Sequence, residues 1–321
     1  MPFAGTVDVS ICMVSLNCWD VLRPCLQSLL AIDGDLSFEV IIVDNASTDG
    51  TPERLRQEFP WVRLIENDRN LGFTRATNQG IRASRGRLLL WLNTDTLLRP
   101  ESLPRLVQFL DDHPRVGIVG PQVLNRDGSF QPQCRRGMPT PGAALAYMLG
   151  IARLRPDDPR FGQYLLSYRP VDEACEVTAV SGCCLAARRE VCDDIGLLDE
   201  DIFGFGEDID WCVRAANAGW QVWYCPSSII THLKGFGGAH SKPYHKIFGI
   251  HQAMWVFFRK HLRPRYSPLV AATVYAGICA SLAASTASTA ARRSCERVST
   301  WLAGQRPSAP VIPDPPRTTS L

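Results

Sequence analysis

The stretch Gly86-Arg87-Leu88-Leu89-Leu90-Trp91-Leu92-Asn93-Thr94-Asp95-Thr96 narrows the possible folds more than any other. Consecutive apolar residues bounded by polar ones predict a strand buried on both faces, the habit of a central strand in a parallel sheet. Its carboxyl end carries oxygen-rich side chains, and in open α/β sheets ligands bind at that edge. A hard divalent cation takes one or two carboxylates and completes its shell with phosphate oxygens and water. Asp95, a cation and a diphosphate are one reading of Asn93-Thr94-Asp95. The other is that Asn93 and Asp95 build a turn and cap the helix that opens near Pro100.

The flanking sequence alternates in the matching style. Residues 7–15 predict a strand by β-branched content, Asn17 and Asp20 follow as turn and cap, and residues 21–30 have helical spacing. Residues 38–43 predict a second buried strand, which ends in Asp44-Asn45-Ala46-Ser47-Thr48-Asp49-Gly50-Thr51-Pro52. There Gly50 suits a turn, Thr51 an N-cap and Pro52 the first helical position. A weaker strand over residues 61–66 precedes Arg69-Asn70-Leu71-Gly72-Phe73 and a helix over residues 74–83. Beyond the central strand come a helix over 101–111 and a strand over 116–120. This alternation predicts an α/β fold, a doubly wound, mostly parallel sheet with helices on both faces and right-handed crossovers.

Between residues 121 and 177 the pattern loosens. Asn125-Arg126-Asp127-Gly128-Ser129 is a hairpin-type turn, and Pro132, Pro139, Pro141, Pro156 and Pro159 break up regular structure. Long irregular insertions in compact domains are often binding loops. A strand at 177–180 before Ser181-Gly182 and a short helix at 189–195 restore order. The run Leu198-Asp199-Glu200-Asp201-Ile202-Phe203-Gly204-Phe205-Gly206-Glu207-Asp208-Ile209-Asp210-Trp211 feeds a helix ending near Gly219. Strands at 221–224 and 228–231 deliver His232, and a helix over 244–261 closes the folded part. Trp211, Trp220 and Trp223 read as core.

A chain of 321 residues has room for one large α/β domain or two smaller ones. A net charge of +2 gives no whole-chain case for a nucleic-acid partner. The twelve cysteines contain no Cys-x-x-Cys pair and mostly sit in apolar segments. That usage predicts a reducing cytoplasm, with neither zinc site nor disulfide framework. No basic-then-apolar leader follows Met1, so no signal peptide is expected. Residues 269–285 form a mildly apolar, small-residue-rich run between Arg263/Arg265 and Arg292/Arg293. A membrane span needs roughly 20 predominantly apolar residues. Of the two readings, a helix lying on or in the membrane is preferred to a plain packing helix. The basic group Arg259, Lys260, Arg263 and Arg265 faces phospholipid or a lipid-diphosphate acceptor in one reading and is a solvated helix end in the other. The proline-rich tail past Gly304 is expected to be disordered.

Four motifs, in register, resemble the family-2, inverting, sugar-nucleotide-dependent glycosyltransferases with the GT-A (Rossmann-like) fold. Within them the chain is most similar to the rhamnosyltransferase-type branch that builds bacterial surface polysaccharides. The motifs are Asp44-Asn45-Ala46-Ser47-Thr48-Asp49-Gly50, then Asn70-Leu71-Gly72-Phe73 with Asn78, then Leu92-Asn93-Thr94-Asp95-Thr96, then Gly206-Glu207-Asp208-Ile209-Asp210 with His232. The resemblance covers residues 9–263. It implies a transferase domain over 1–263, a helical extension with a membrane-association reading over 264–303, and a tail over 304–321. The implied partners are a nucleotide-diphosphate sugar and a saccharide or polyprenyl-linked acceptor. The implied location is the cytoplasm, at the inner face of the cytoplasmic membrane, where the C-terminal segment makes a peripheral contact.

Roles follow from the resemblance position by position. Asp44 would bind the pyrimidine base of the donor, with Ser15 and Asn17 of the Val14-Ser15-Leu16-Asn17 turn beside it and Asn45 in the same nucleotide-sugar set. Asn70, Gly72 and Asn78 would shape the nucleotide and sugar pocket, and Asn93 and Thr94 would line it. Asp95 matches the metal-binding acid of the family's Asp-x-Asp, and Asn93 replaces the first acid, which leaves one less negative charge for Mg²⁺ or Mn²⁺. His232 matches a position that completes the metal shell in related enzymes; the plain alternative is a buried histidine bonded to backbone.

Direct displacement at an anomeric carbon needs a base for the acceptor hydroxyl, while cation and helix dipoles stabilise the leaving diphosphate. By motif position Asp208 is that base, and Glu207 and Asp210 support it or contact the acceptor. A helix N-terminus alone would favour Asp208 and Asp210 by about 0.3–1 kcal/mol each. It would not also require Glu207 and a glycine-rich, aromatic approach, so catalysis is the favoured reading. Ser181 and Gly182 would lie at the acceptor edge. A nucleotidyltransferase is the first rival, but it wants a glycine-rich basic loop after the first strand, and Ser15-Leu16-Asn17-Cys18-Trp19 is not one. An inactive sugar-nucleotide-binding protein is the second; Asn93 favours it, and Asp95, Asp208 and His232 together oppose it. A processive synthase would carry a Gln-x-x-Arg-Trp signature and several membrane helices, and neither is found.

Overall fold

The computed structural model describes residues 7–202, 204–234 and 243–303. β1 (Val9–Ser15), α1 (Trp19–Leu30), β2 (Phe38–Asp44), α2 (Thr51–Glu58), β3 (Arg63–Glu66), α3 (Phe73–Ala83) and β4 (Leu88–Leu92) open the chain. β5 (Thr96–Leu98), α4 (Ser102–Asp112), β6 (Val116–Leu124) and β7 (Arg135–Arg136) follow. Three short helices come next: α5 (Pro141–Met148), α6 (Ile151–Leu154) and α7 (Pro159–Gly162). Then come β8 (Cys175–Glu176), β9 (Ala179–Val180), β10 (Cys184–Arg188), α8 (Arg189–Ile195), α9 (Glu207–Asn217) and β11 (Gln221–His232). The described part ends with α10 (Pro243–Phe257), a π-helical turn Phe258–Leu262 and α11 (Pro268–Ala303).

Nine strands make one sheet in the order β3-β2-β1-β4-β10-β6-β11-β5, with β8 paired to β11. Pairing is parallel through β3, β2, β1 and β4, and again between β6 and β11. β1 shows why both faces are covered. Ile11 and Met13 join the main core with Leu22 and Leu26 of α1, while Cys12 packs with Leu89 and with Ile81 of α3. Leu88 to Leu92 are all buried, as a two-faced strand requires. Register places Ser15 opposite Asp44 and Cys12 opposite Trp91, so β1, β2 and β4 end on one edge.

Several expectations need correction. β10 runs antiparallel between β4 and β6, in the middle of the sheet, over residues for which the sequence reading named no element. Its Cys184-Leu185-Ala186-Ala187-Arg188 lacks β-branched and aromatic residues, so burial and pairing rather than propensity make it a strand. Residues 221–224 and 228–231 are one strand, β11, in which a register shift between Cys225 and Ile229 absorbs Pro226. Gly50, in the left-handed region, takes the cap position of α2 that Thr51 was expected to fill. The insertion holds α5, α6 and α7 rather than irregular chain alone. Asn125 to Ser129 form the expected turn, with Leu124 bridged to Phe130. All twelve cysteines are free and nine are buried. Trp211 is buried, and Trp220 and Trp223 pack against the core.

The C-terminal part docks through the π-helical turn. Phe257, Phe258 and Leu262 pack with Val213 of α9 and with Ala271, Val274 and Tyr275 of α11. His251 of α10 bonds Ser281 of α11 at 3.0 Å. Lys260 is exposed but not a free end, since it pairs with Asp199 and, at 2.9 Å, with Asp201. The expected disorder past Gly304 lies outside the described residues.

Candidate active site

One end of the cleft is built where β1 and β2 stop. Asp44 is buried there, its Oδ2 accepting from Ser15 Oγ at 2.8 Å and Ser47 Oγ at 2.6 Å, its Oδ1 from Ser47 N–H at 2.8 Å. Asn17 adopts φ 49°, and its Oδ1 accepts from Thr48 N–H at 2.7 Å. The first two βα loops are thereby laced together, and the carboxylate expected to meet the donor's base is fixed before any base arrives. Asn45 holds the next loop. Its Nδ2 donates to Asn70 Oδ1 at 2.9 Å and to Gly72 O at 3.3 Å, while its Oδ1 accepts from Leu71 N–H at 3.0 Å. Gly72 needs to be glycine, because its φ is 88°. Asn78 lies deeper than a pocket wall. Its Oδ1 accepts from Leu198 N–H at 3.0 Å and its Nδ2 donates to Leu198 O at 2.9 Å, pinning the approach to the acid cluster.

At the end of β4, Asp95 and His232 come together. Asp95 Oδ1 lies 3.2 Å from His232 Nε2, both side chains nearly buried. Burial alone would lower the imidazole's pKa, but the bonds to Asp95 and Cys183 carry it up to about 10. The plain alternative for His232, a ring bonded only to backbone, is therefore not what the structure shows. Gln131 Nε2 stands 3.5 Å from the ring's other nitrogen, a contact the sequence gave no reason to expect. Thr94 is buried, and Asn93 keeps a buried Oδ1 with no hydrogen-bond partner among the described residues.

At the opening of α9 the three acids are in three different states. Asp208 Oδ2 accepts from Arg136 Nη2 at 2.7 Å and from Gly182 N–H at 2.8 Å. Asp210 is paired on both oxygens, to His261 Nε2 at 2.7 Å and Arg214 Nε at 2.8 Å. Burial works against its charge, yet those two bonds hold its carboxyl below the usual range. It braces the helix and is closed to an acceptor. Glu207 is buried with Oε2 unpartnered among the described residues. Burial, and after it the charge of Asp208, push its carboxyl up to about 8.

The turn at 181–183 joins the two ends. Cys183 O accepts from Asn93 N–H at 2.9 Å, and the neighbouring Gly182 donates to Asp208. A Cβ at Gly182 would stand 2.9 Å from the Trp91 ring and 3.2 Å from Asp208 Cβ, so nothing larger fits. Arg136 was missed by sequence reasoning. It sits in the proline-rich insertion, two residues long as a strand, and only the β7–β9 pairing brings it to α9. His261 was missed too, and its sole sequence signal was its place in the basic cluster.

The profile of glycosyl transferase family 2 matches residues 10–196. This chain belongs to that family. An N-acetylglucosaminyl-diphospho-decaprenol L-rhamnosyltransferase of Mycobacterium tuberculosis is 30% identical over 244 residues, 71% of this chain and 76% of the relative. The dTDP-rhamnosyl transferase RfbF of Shigella flexneri is 27% identical over 220 residues, 66% and 67% of the two chains. Among solved structures, the mannosyltransferase PcManGT from Pyrobaculum calidifontis, in complex with GDP-Man and Mn²⁺, superposes with a TM-score of 0.56. It is 19% identical, over 94% of this chain and 81% of its own. S. aureus TarS 1-349 with UDP-GlcNAc gives 0.56 at 16% identity, over 85% and 72%. The fold is GT-A, and the family 2 chain is a glycosyltransferase.

For this family 2 glycosyltransferase, Glu207 makes a pH-dependent contribution whose sign is fixed. The folded protein keeps a proton on Glu207 that an unfolded glutamate loses above about 4.5, so the native state binds more protons from there to about 8. Stability therefore falls across that window, by at most about 1.4 kcal/mol per pH unit from this group. Glu207→Gln should remove the slope. Urea midpoints for variant and native protein should diverge, in the variant's favour, from about pH 5 to about pH 8; parallel curves would show that Glu207 is ionised throughout.

Proposed function

We propose that this enzyme moves one sugar, rhamnose in the reading its relatives support, from a nucleoside-diphosphate donor onto a saccharide carried by a polyprenyl diphosphate. Transfer proceeds with inversion. The observation that carries the reading is the 181–183 turn, which bonds the Asn93 backbone beside Asp95 and the Asp208 carboxylate from adjacent residues. A leaving-group end and a base end held that way suit in-line displacement.

The donor set fits a divalent cation, Mg²⁺ or Mn²⁺. Asp95 and His232 supply one carboxylate and one imidazole, and no cluster of three or more potential metal-binding side chains is found among the described residues. The remaining ligands would be diphosphate oxygens and water. When bound, the cation would stabilise charge on the departing diphosphate. His232 must release its proton to take part, so cation binding and proton release are coupled. Asn93 Oδ1 is a free acceptor for a donor hydroxyl.

Asp208 accepts the acceptor's proton on Oδ1. Its Oδ2 is held by Arg136 and Gly182 N–H, and its Oδ1 meets only the adjacent Ile209 N–H, at 2.8 Å. Glu207, neutral at neutral pH, can stand beside it without a second negative charge and offer a hydrogen bond to a sugar hydroxyl. Asp44, Asn45, Ser15, Asn17, Asn70 and Gly72 form the nucleotide end, and Ser181 and Gly182 the acceptor edge. The transferase domain ends near residue 263. The extension beyond it rests on the inner face of the cytoplasmic membrane through α11, whose segment Pro268–Cys295 is long and apolar enough to cross a bilayer.

Calorimetric titration with a nucleoside diphosphate tests the cation site. Asp95→Ala should weaken binding only when Mg²⁺ or Mn²⁺ is present. Equal binding by variant and native protein in saturating cation would remove Asp95 from the site. A panel of nucleotide sugars in the same assay names the donor.

A further inference from the structure

The insertion between β7 and β8 is folded inside out for a water-facing surface. α5 and α6 bury Ala143, Ala146 and Ala152. They expose Leu145 by 56%, Met148 by 49%, Leu149 by 63% and Leu154 by 82%. An ordinary surface helix does the opposite, burying its large aliphatic residues and showing small or polar ones. Single exposed leucines are common, but four large aliphatic residues within ten positions make a patch of the kind that marks an interaction surface.

We infer that α5 and α6 lie against an anionic lipid bilayer, with Leu145, Met148, Leu149 and Leu154 immersed at the boundary of headgroups and acyl chains. Three features select lipid over a protein partner. The exposed set is three leucines and one methionine with no aromatic anchor, whereas Tyr and Trp dominate the centres of protein interfaces and leucine is under-represented there. The one aromatic residue of α5, Tyr147, meets Tyr164 edge to face, with ring centroids 5.2 Å apart. Arg153 and Arg155 are both exposed beside Leu154, where cations meet anionic headgroups. Nearby Asp158 is bonded to Arg160 at 2.7 Å, so its charge is already matched.

Continuity with α11 adds to these. Met138, just before α5, packs in the cluster that contains Val274 and Tyr275 of α11. The apolar stretch of α11 is only 11% buried. Two outward-facing apolar elements thus share a root, and the insertion that presents Arg136 to Asp208 is one of them. The inference deepens the lipid-linked acceptor reading and rests on it for purpose, since it would bring the base to the membrane where such an acceptor is found. Its evidence is independent.

The test is co-sedimentation of the full chain with phosphatidylcholine vesicles, with and without phosphatidylglycerol. Leu145→Ser/Met148→Ser/Leu149→Ser/Leu154→Ser should lower partitioning by about 100-fold or more, from the lost aliphatic burial. Arg153→Gln/Arg155→Gln should lower it roughly 10- to 30-fold, and only when phosphatidylglycerol is present. Both variants should bind nucleoside diphosphate as the native chain does, so a failure of donor binding in all proteins would count against the transferase reading and not this one. Leu149→Trp provides a variant that keeps the patch apolar: its emission should move to the blue on adding anionic vesicles. Native partitioning by the serine variant, no blue shift, or conversion of a dimer to a monomer by the serine substitutions would each overturn the inference.

Discussion

Asp208→Asn should lower turnover by about 10²–10⁴-fold, the usual contribution of a general base. The loss should fall on kcat, with nucleoside-diphosphate affinity retained, because the hydrogen bonds of Asp208 among the described residues run to Arg136, Gly182 and Ile209, away from the nucleotide end. A side chain that merely caps α9 would behave differently, since asparagine caps well and turnover would stay near native. The structure adds a second consequence. Asparagine strips the countercharge from a buried Arg136, so stability should drop as well, and rates need to be referred to folded enzyme. Native turnover by Asp208→Asn beside an inactive Glu207→Gln would transfer the role to Glu207.

Arg136→Met should cost about 3–5 kcal/mol, the range for breaking a buried ion pair by removing one partner. The cost comes from Asp208, left as a buried charge with only Gly182 N–H and Ile209 N–H to stabilise it. Burial is the strongest influence and acts against the guanidinium's charge; the Asp208 carboxylate, Tyr164 and Cys212 together outweigh it. Arg136→Met/Asp208→Asn should regain much of that stability, since replacing both charges is often close to neutral. It should not regain turnover. Urea unfolding of the four proteins gives the coupling between the two side chains, and additive losses would mean that the 2.7 Å contact carries no energy.

The fold was legible where local chemistry and burial agree. Leu88 to Leu92 is a buried strand by its own composition, and Asp44 and Asp95 are placed by the strands before them. β10 was not legible, because alanine and cysteine become a strand only when β4 and β6 stand on either side. The acid cluster was visible as a motif at the right helix end. Its division of labour was not, since it depends on Arg136 and His261, which lie 72 and 51 residues from their acids. Such pairings are made by topology, and no local pattern encodes them. The same holds for His232 and Asp95, brought together when β11 pairs antiparallel to β5 and sets His232 opposite Thr96.

The 181–183 turn works as a gauge. Its adjacent residues grip Asn93 through Cys183 O and Asp208 through Gly182 N–H, and the Trp91 ring leaves no slack behind Gly182. If Asp95 and Asp208 mark the two ends of the reaction path, as proposed, a bulkier sugar could not spread them without breaking hydrogen bonds made by the backbone of this turn. On that proposal, discrimination between acceptors is left to the parts outside that span, chiefly the segment that carries Arg136, and a change of acceptor would need only that one surface segment rebuilt, with the distance over which the bond is exchanged unchanged.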